Sequence, residues 1–175
     1  MTQQAPPGAE EALSYMKYQA TKGTDSLVAL IQRTAADWQR CVTGMSGGQA
    51  CFAPDGEWAA TDVLVHFLDA TRLVNRQLER LLQGKDPATE PGGVVGNKPD
   101  DSRSLGELSD DVAAVFDEIV DLTRKLDGSP YLAETFAHPF FGQLNMLEWI
   151  AFQRIHAMDH IGQVDKIKED PAYPA

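Results

Sequence analysis

Two histidines one helical turn apart have the spacing in this sequence that most clearly suggests chemistry. His156 and His160 are four residues apart, so on an α-helix both lie on one face and can direct a ring nitrogen at the same ion. The segment around them is apolar nearly all round, which predicts a buried helix, and buried imidazoles need polar partners. The spacing also fits two core histidines that ordinary hydrogen bonds satisfy.

His66 is the candidate for a third ligand. It lies midway along another predicted helix, at the edge of the apolar stripe, and taken alone it is an ordinary boundary histidine. Three neutral imidazoles leave coordination positions open, as catalytic rather than structural metal sites do. The open position can hold water, a thiolate or a substrate oxygen. Nitrogen ligands suit zinc, nickel or iron(II), and the sequence does not choose among these cofactors.

Four residues near the predicted triad are candidate auxiliaries. Asp62 and Asp69 flank His66 at i−4 and i+3 and could orient its imidazole or serve as a base; the alternative is a solvated acidic helix edge. Gln153 and Gln163 share the ligand face and could hydrogen-bond a ligand, or they are plain buried amides. The catalytic residue itself stays open.

A fifth candidate, His138, lies in a predicted loop. Because Pro139 follows it, His138 is expected in an extended or turn conformation. It could line the mouth of a pocket or act as a proton shuttle. The alternative is a histidine that anchors its loop.

Hydrophobic periodicity predicts an all-α fold with four long helices. They span residues 13–42, 60–83, 105–126 and 143–168, with Gly23 as a weak point in the first. Ser104 and Glu107 form a capping-box pattern at the start of the third helix. Residues 1–12 are a predicted loose lead-in, 44–57 a loop and 84–104 a long exposed loop, and no strand-like alternation appears. The sequence therefore predicts one domain, residues 1–175, built as a four-helix bundle.

Charge and composition exclude several classes of partner. The chain has 175 residues and a formal net charge of −11, and such acidity disfavours nucleic acid and anionic membrane surfaces as partners. No apolar run reaches the roughly 18 residues of a membrane span, and we expect no secretory signal in residues 1–11. Cys41 and Cys51 fit a reduced, cytoplasmic chain, with a disulfide between them as the alternative.

Two stretches of the sequence resemble the DinB-like proteins. They are Trp58 to His66, and the run from His138 through Asn145, Glu148 and Trp149 to the segment Arg154–Gln163. The resemblance implies an up-down-down-up four-helix bundle, often dimeric, whose metal ligands correspond to His66, His156 and His160. Known relatives include transferases and isomerases that use bacillithiol, mycothiol or glutathione, and others resemble metal-dependent hydrolases.

One position departs from that resemblance, and the function stays open between two classes. Ala59 stands where the family often has a helix-capping Ser, so Thr61 or Asp55 is expected to supply the cap.

The first hypothesis for the function is a metal-dependent enzyme that acts on a small molecule by thiol-dependent transfer, isomerisation or hydrolysis. The second is a non-catalytic, dimerising stress-response protein that binds a metal or small ligand. A basic cleft for an acidic thiol would favour the first; its candidate residues are Arg72, Arg76, Arg80, Arg103 and Arg154.

Overall fold

Helices make up most of the structure. A computed structural model of the chain describes residues 8–87 and 101–175. The elements in chain order are α1 (Ala9–Ala20), α2 (Thr24–Val42), α3 (Gly47–Ala50), α4 (Ala60–Leu82), α5 (Leu105–Lys125), β1 (Thr135–His138), β2 (Gly142–Asn145) and α6 (Met146–Lys168). The all-α prediction is thus confirmed for the bulk of these residues, while most of the predicted long loop and residues 1–7 lie outside them.

The first predicted helix is two helices. Gly23 has φ 81° and ψ 175°, a backbone conformation that side-chain-bearing residues rarely adopt, so the chain breaks there and α2 begins at Thr24. The prediction of one helix over residues 13–42 was therefore wrong. Its start was also late, because α1 begins at Ala9 and includes residues 9–12 of the predicted lead-in.

A short antiparallel hairpin precedes α6, so the expectation of no strands was wrong. β1 and β2 pair with Phe136 opposite Leu144, and both side chains are buried. Each strand has only four residues, too few for alternation to show in the sequence. The indole Nε1 of Trp149 donates to the Phe136 carbonyl at 3.2 Å, which ties the hairpin to α6. Residues 143–145, predicted as the start of the last helix, therefore belong to β2.

Side chains cap the N-termini of α3, α5 and α6, whereas α1, α2 and α4 begin without a side-chain cap. The predicted capping box of Ser104 and Glu107 is confirmed at the start of α5. At α4 the N–H of Ala59 donates to Asp62 Oδ2 at 2.8 Å, which is the half of a capping box that the third helical residue supplies; the side-chain cap expected from Thr61 or Asp55 is not formed at this helix start. The predicted loop 44–57 contains the short helix α3, which Ser46 caps.

Four helices surround one hydrophobic core: α2 and α4 each contact both α5 and α6. The largest fully buried side chains include Trp38, Phe67, Phe116, Ile31, Leu64 and Ile119. α4 and α6 run in opposite directions, because Phe67 lies near His160 (ring centroids 6.4 Å apart) whereas Asn75 meets Gln153 (3.4 Å). This antiparallel pair carries all three histidines of the predicted triad.

None of the helices in residues 8–87 and 101–175 combines the length and apolarity that a membrane crossing requires.

The two cysteines are unpaired and differ in environment, which gives a test of the packing. Burial raises the pKa of the Cys41 thiol to about 11, although the neighbouring Lys168 ammonium opposes the shift, and Cys51 is exposed. We expect iodoacetamide at pH 8 to alkylate Cys51 in the native protein, and Cys41 at least about 100-fold more slowly, because the thiolate is the nucleophile. Intact-mass kinetics with peptide mapping measure both rates. The Cys51→Ser variant is the control, because its remaining thiol, Cys41, should react fast only after denaturation. Equal labelling of both thiols in the native protein would contradict this packing.

Candidate metal centre

The three histidines of the predicted triad lie together at the seam between α4 and α6. One ring nitrogen from each of His66, His156 and His160 lies within 4.8 Å of the other two. Nε2 of His156 and Nε2 of His160 are 3.0 Å apart, and the His66 ring centroid is 4.9 Å from that of His160. His160 is buried and the other two are half-buried, so the cluster lies at the boundary of the core.

Gln163 orients the imidazole of His160. Its Oε1 lies 3.1 Å from His160 Nδ1, and with that oxygen as acceptor Nδ1–H is the donor. A neutral His160 therefore presents the lone pair of Nε2 to the centre. The 3.0 Å contact between Nε2 of His160 and Nε2 of His156 then requires one proton or one cation between the two nitrogens.

Two aromatic rings stack against the imidazole of His156. The ring centroids of Phe67 and Phe152 each lie 5.6 Å from the centroid of the His156 imidazole. Trp58 makes an edge contact with His66, at 5.2 Å. These rings restrict rotation of the two imidazoles and remove water from their faces, which is how packing preorganises a ligand set.

Burial keeps these imidazoles neutral. It is the largest cause that lowers the pKa of His66, His156 and His160, and for His156 the pKa is held well below its usual range. Neighbouring histidines lower the pKa values of His66 and His156 further, whereas Asp69 and Asp159 act weakly in the other direction on His66 and His160. Neutral imidazole is the form that binds a metal ion.

The residues fit a divalent metal ion by donor chemistry and by spacing. Three imidazole nitrogens are a common donor set for borderline metals. Two such nitrogens at about 2.1 Å from one ion, at angles of about 90–110°, are about 3.0–3.4 Å apart. The observed separation of 3.0 Å between the two Nε2 atoms is within that range. The cluster of three histidines can therefore bind one ion without rearrangement of this pair.

The predicted auxiliary residues have structural contacts of their own. The Asp62 carboxylate accepts the N–H of Ala59 at the start of α4. His138 Nδ1 accepts the backbone N–H groups of Phe140 and Phe141, at 3.1 and 3.3 Å, so this histidine anchors its loop. Burial lowers the pKa of His138 to about 4, which disfavours a proton shuttle at neutral pH.

Gln153 differs from the other auxiliaries because half of its amide is unpaired. Its Nε2 donates to Asn75 Oδ1 at 3.4 Å, while its buried Oε1 has no hydrogen-bond partner among the described residues. Sequence reasoning missed Asn75 and also Phe67, which belongs to the centre through its stacking on His156. Phe67 follows His66 directly in an apolar stripe, and only the crossing of α4 and α6 shows which ring it covers.

The lowered pKa values predict how stability depends on pH. All four histidines bind protons less readily in the folded than in the unfolded protein. The contribution of these neutral rings to the free energy of unfolding is therefore complete above about pH 6.5, and it decreases as the pH falls below that value. Each neutral histidine contributes a loss of at most about 1.4 kcal/mol per pH unit.

Urea unfolding of chelator-treated protein at pH 7.5, 6.5 and 5.5 measures this loss. These three pH values lie above the range in which carboxylates titrate. The His138→Asn variant should show a shallower slope, because it removes one of the titrating groups. Stability that is constant or rises towards pH 5.5 would contradict the burial of these rings.

Comparison with known proteins agrees with the resemblance carried by the histidine segments. The family model described as the DinB superfamily matches residues 25–164, a stretch that includes His66, His156 and His160. No curated protein matches the chain. Because the family model covers most of the chain and contains the whole histidine cluster, this protein belongs to the DinB superfamily.

Proposed function

We propose that this protein binds one divalent metal ion, zinc, nickel or iron, through His66, His156 and His160, and uses it to act on a small molecule. The reaction classes we propose are thiol-dependent transfer or isomerisation, and hydrolysis. The single observation that carries the proposal is the convergence of one ring nitrogen from each of three histidines, within 4.8 Å of one another, at the edge of the core.

The proposal includes an up-down-down-up four-helix bundle formed by α2, α4, α5 and α6. The directions of the helix pairs support it. α2 and α6 run in the same direction, because Arg154 meets Thr34 in the middle of the two helices and Lys168 meets Cys41 near their C-terminal ends. α4 and α5 also run in the same direction, because Phe67 contacts Phe116 and Asn75 contacts Glu118.

The chain's own residues would bind the ion and keep its ligands in place. Gln163 fixes the tautomer of His160, and the stacked Phe67 and Phe152 hold His156. Because His66 and His156 are only half-buried, the cluster keeps a side towards solvent from which a small molecule could approach. When bound by three nitrogens, a divalent ion supplies Lewis acidity, which polarises a substrate oxygen or lowers the pKa of a water or thiol.

A non-catalytic, dimerising metal- or ligand-binding protein is the second candidate function. The contacts of Asp62 and His138 favour it, because both predicted acid–base residues are held by backbone N–H groups. Small-molecule partners rather than nucleic acid fit the net charge of −11. We also propose a homodimer, from the family resemblance, and a cytoplasmic location, from the two unpaired cysteines.

Metal content of untagged protein tests the proposed site. We expect close to one equivalent of zinc, nickel or iron in the wild-type protein by elemental mass spectrometry, after reconstitution if needed. The His156→Ala variant should lose at least about 90 % of it, because two ligands rarely hold an ion against buffer. His138→Ala is the matched control, since it removes the one histidine outside the triad and should retain the metal.

Turnover assays then separate the two candidate functions. A panel of low-molecular-weight thiols with electrophiles, and of ester and amide substrates, is tested with metal-loaded and chelated protein. Turnover that disappears with the metal supports the enzyme, whereas metal without turnover favours the binding protein. Wild-type protein that takes up no metal on reconstitution would rule out the site.

A further inference from the structure

Thr71 in α4 has a buried hydroxyl that does not hydrogen-bond to the backbone of its own helix. Thr34 and Thr123 are equally buried, and each donates to the carbonyl four residues earlier in its helix, at 2.9 and 2.7 Å. The hydroxyl of Thr71 is fully buried and has no partner among the described residues. Because an unpaired buried hydroxyl is unfavourable and the local bond is readily available, its orientation indicates a partner other than its own helix.

A chain of three side chains fixes which end of the Gln153 amide is unpaired. The Glu118 carboxylate can only accept, so the Asn75 Nδ2 that lies 3.3 Å from it is the donor. Asn75 therefore turns its Oδ1 towards Gln153, whose Nε2 donates to it. The unpaired atom of Gln153 is thus Oε1, a buried acceptor.

His156 contributes a third buried polar atom without a partner, Nδ1, on the opposite side of the ring from the metal-facing Nε2. Gln153 lies three residues before His156 on α6, on the same face. Thr71 lies midway between Phe67, which stacks on His156, and Asn75, which bonds Gln153. Since α4 and α6 are antiparallel, the position of Thr71 on α4, between Phe67 and Asn75, corresponds to the level of His156 and Gln153 on α6.

We propose that one buried water molecule bridges His156 Nδ1, Gln153 Oε1 and Thr71 Oγ1, and positions His156 as a metal ligand. A buried water typically makes about three hydrogen bonds, which is the number of unpaired atoms that α4 and α6 contribute; the fourth such atom among the described residues, Trp38 Nε1, is on α2. This inference rests on the proposed function for its second half only; the water site itself does not depend on a metal.

Water suits this position better than a direct amide contact would. With a proton between the two Nε2 atoms, Nδ1 of His156 is an acceptor; with a cation there, Nδ1–H is a donor. Gln153 Oε1 can serve only the donor form, whereas a water molecule with a hydroxyl neighbour can reverse its hydrogen bonds and serve both. Thr71 and Gln153 are thus positioning residues for His156, which they reach through the water.

The Thr71→Val variant tests the water by the sign of its effect on stability. If the hydroxyl bonds a water, its loss should lower the Tm of chelator-treated protein by about 2–4 °C. If the hydroxyl is unpaired, the isosteric valine removes an unfavourable buried group and the Tm rises, which would overturn the proposal. A crystal structure of the wild-type protein at better than about 2 Å should show the water itself, and dry density between the three atoms would also overturn it.

Zinc affinity tests the positioning role. We expect chelator competition to show a roughly 10–100-fold weaker zinc affinity for both Thr71→Val and Gln153→Leu. Thr123→Val is the matched control, because it removes an equally buried hydroxyl that bonds only its own helix in α5. Equal loss in all three variants, or no loss in any, would overturn the positioning role. A wild-type protein that binds none of zinc, nickel and iron would refute the proposed metal site instead, and the Tm and the crystal structure would still decide the water.

Discussion

The burial of three imidazoles between two antiparallel helices is the constraint on which the rest of the centre depends. Burial removes the water that would otherwise stabilise charge on the rings, so they stay neutral, and each ring nitrogen then needs a specific partner. Gln163 satisfies one nitrogen of His160, while the close approach of His156 and His160 leaves a pair of nitrogens that calls for a shared proton or cation. Burial between the two helices therefore accounts for the neutral rings, for their close spacing and for the ring nitrogens that still need a hydrogen-bond partner.

The surrounding helices follow from the need to enclose α6. Its sequence is apolar nearly all round, and in the structure it contacts α1, α2, α4 and α5. Arg154 on α6 has defined partners on α2: it donates to Thr34 Oγ1 at 3.0 Å and to Asp37 at 3.4 Å. The same helix thus presents its histidines to α4 and its arginine to α2, and both contacts restrict how it can rotate.

The sequence predicted the elements whose signals extend over several turns. α4 and α5 were located to within a residue at each end, because long apolar stripes and the Ser104 cap define them. The errors lie where one residue or a long-range contact decides the structure. The break at Gly23 depends on a single glycine's φ, and the four-residue strands of the hairpin form because Phe136 and Leu144 find the core together. The pair His156 and His160 could be predicted because i, i+4 spacing is local. The position of His66 beside that pair depends on the crossing of α4 and α6.

What the sequence could not supply is the direction of each side chain's hydrogen bonds. Asp62 was a candidate base beside His66, yet its carboxylate accepts the N–H of Ala59 at the start of α4. Gln153 and Gln163 were indistinguishable as amides on one helix face, but Gln163 bonds His160 directly and Gln153 is oriented from the other side by Asn75. That orientation originates at Glu118, on a third helix, because a carboxylate can only accept. A carboxylate on α5 thereby decides which atom of Gln153 faces the layer of His156, a dependence visible only once all three helices are assembled.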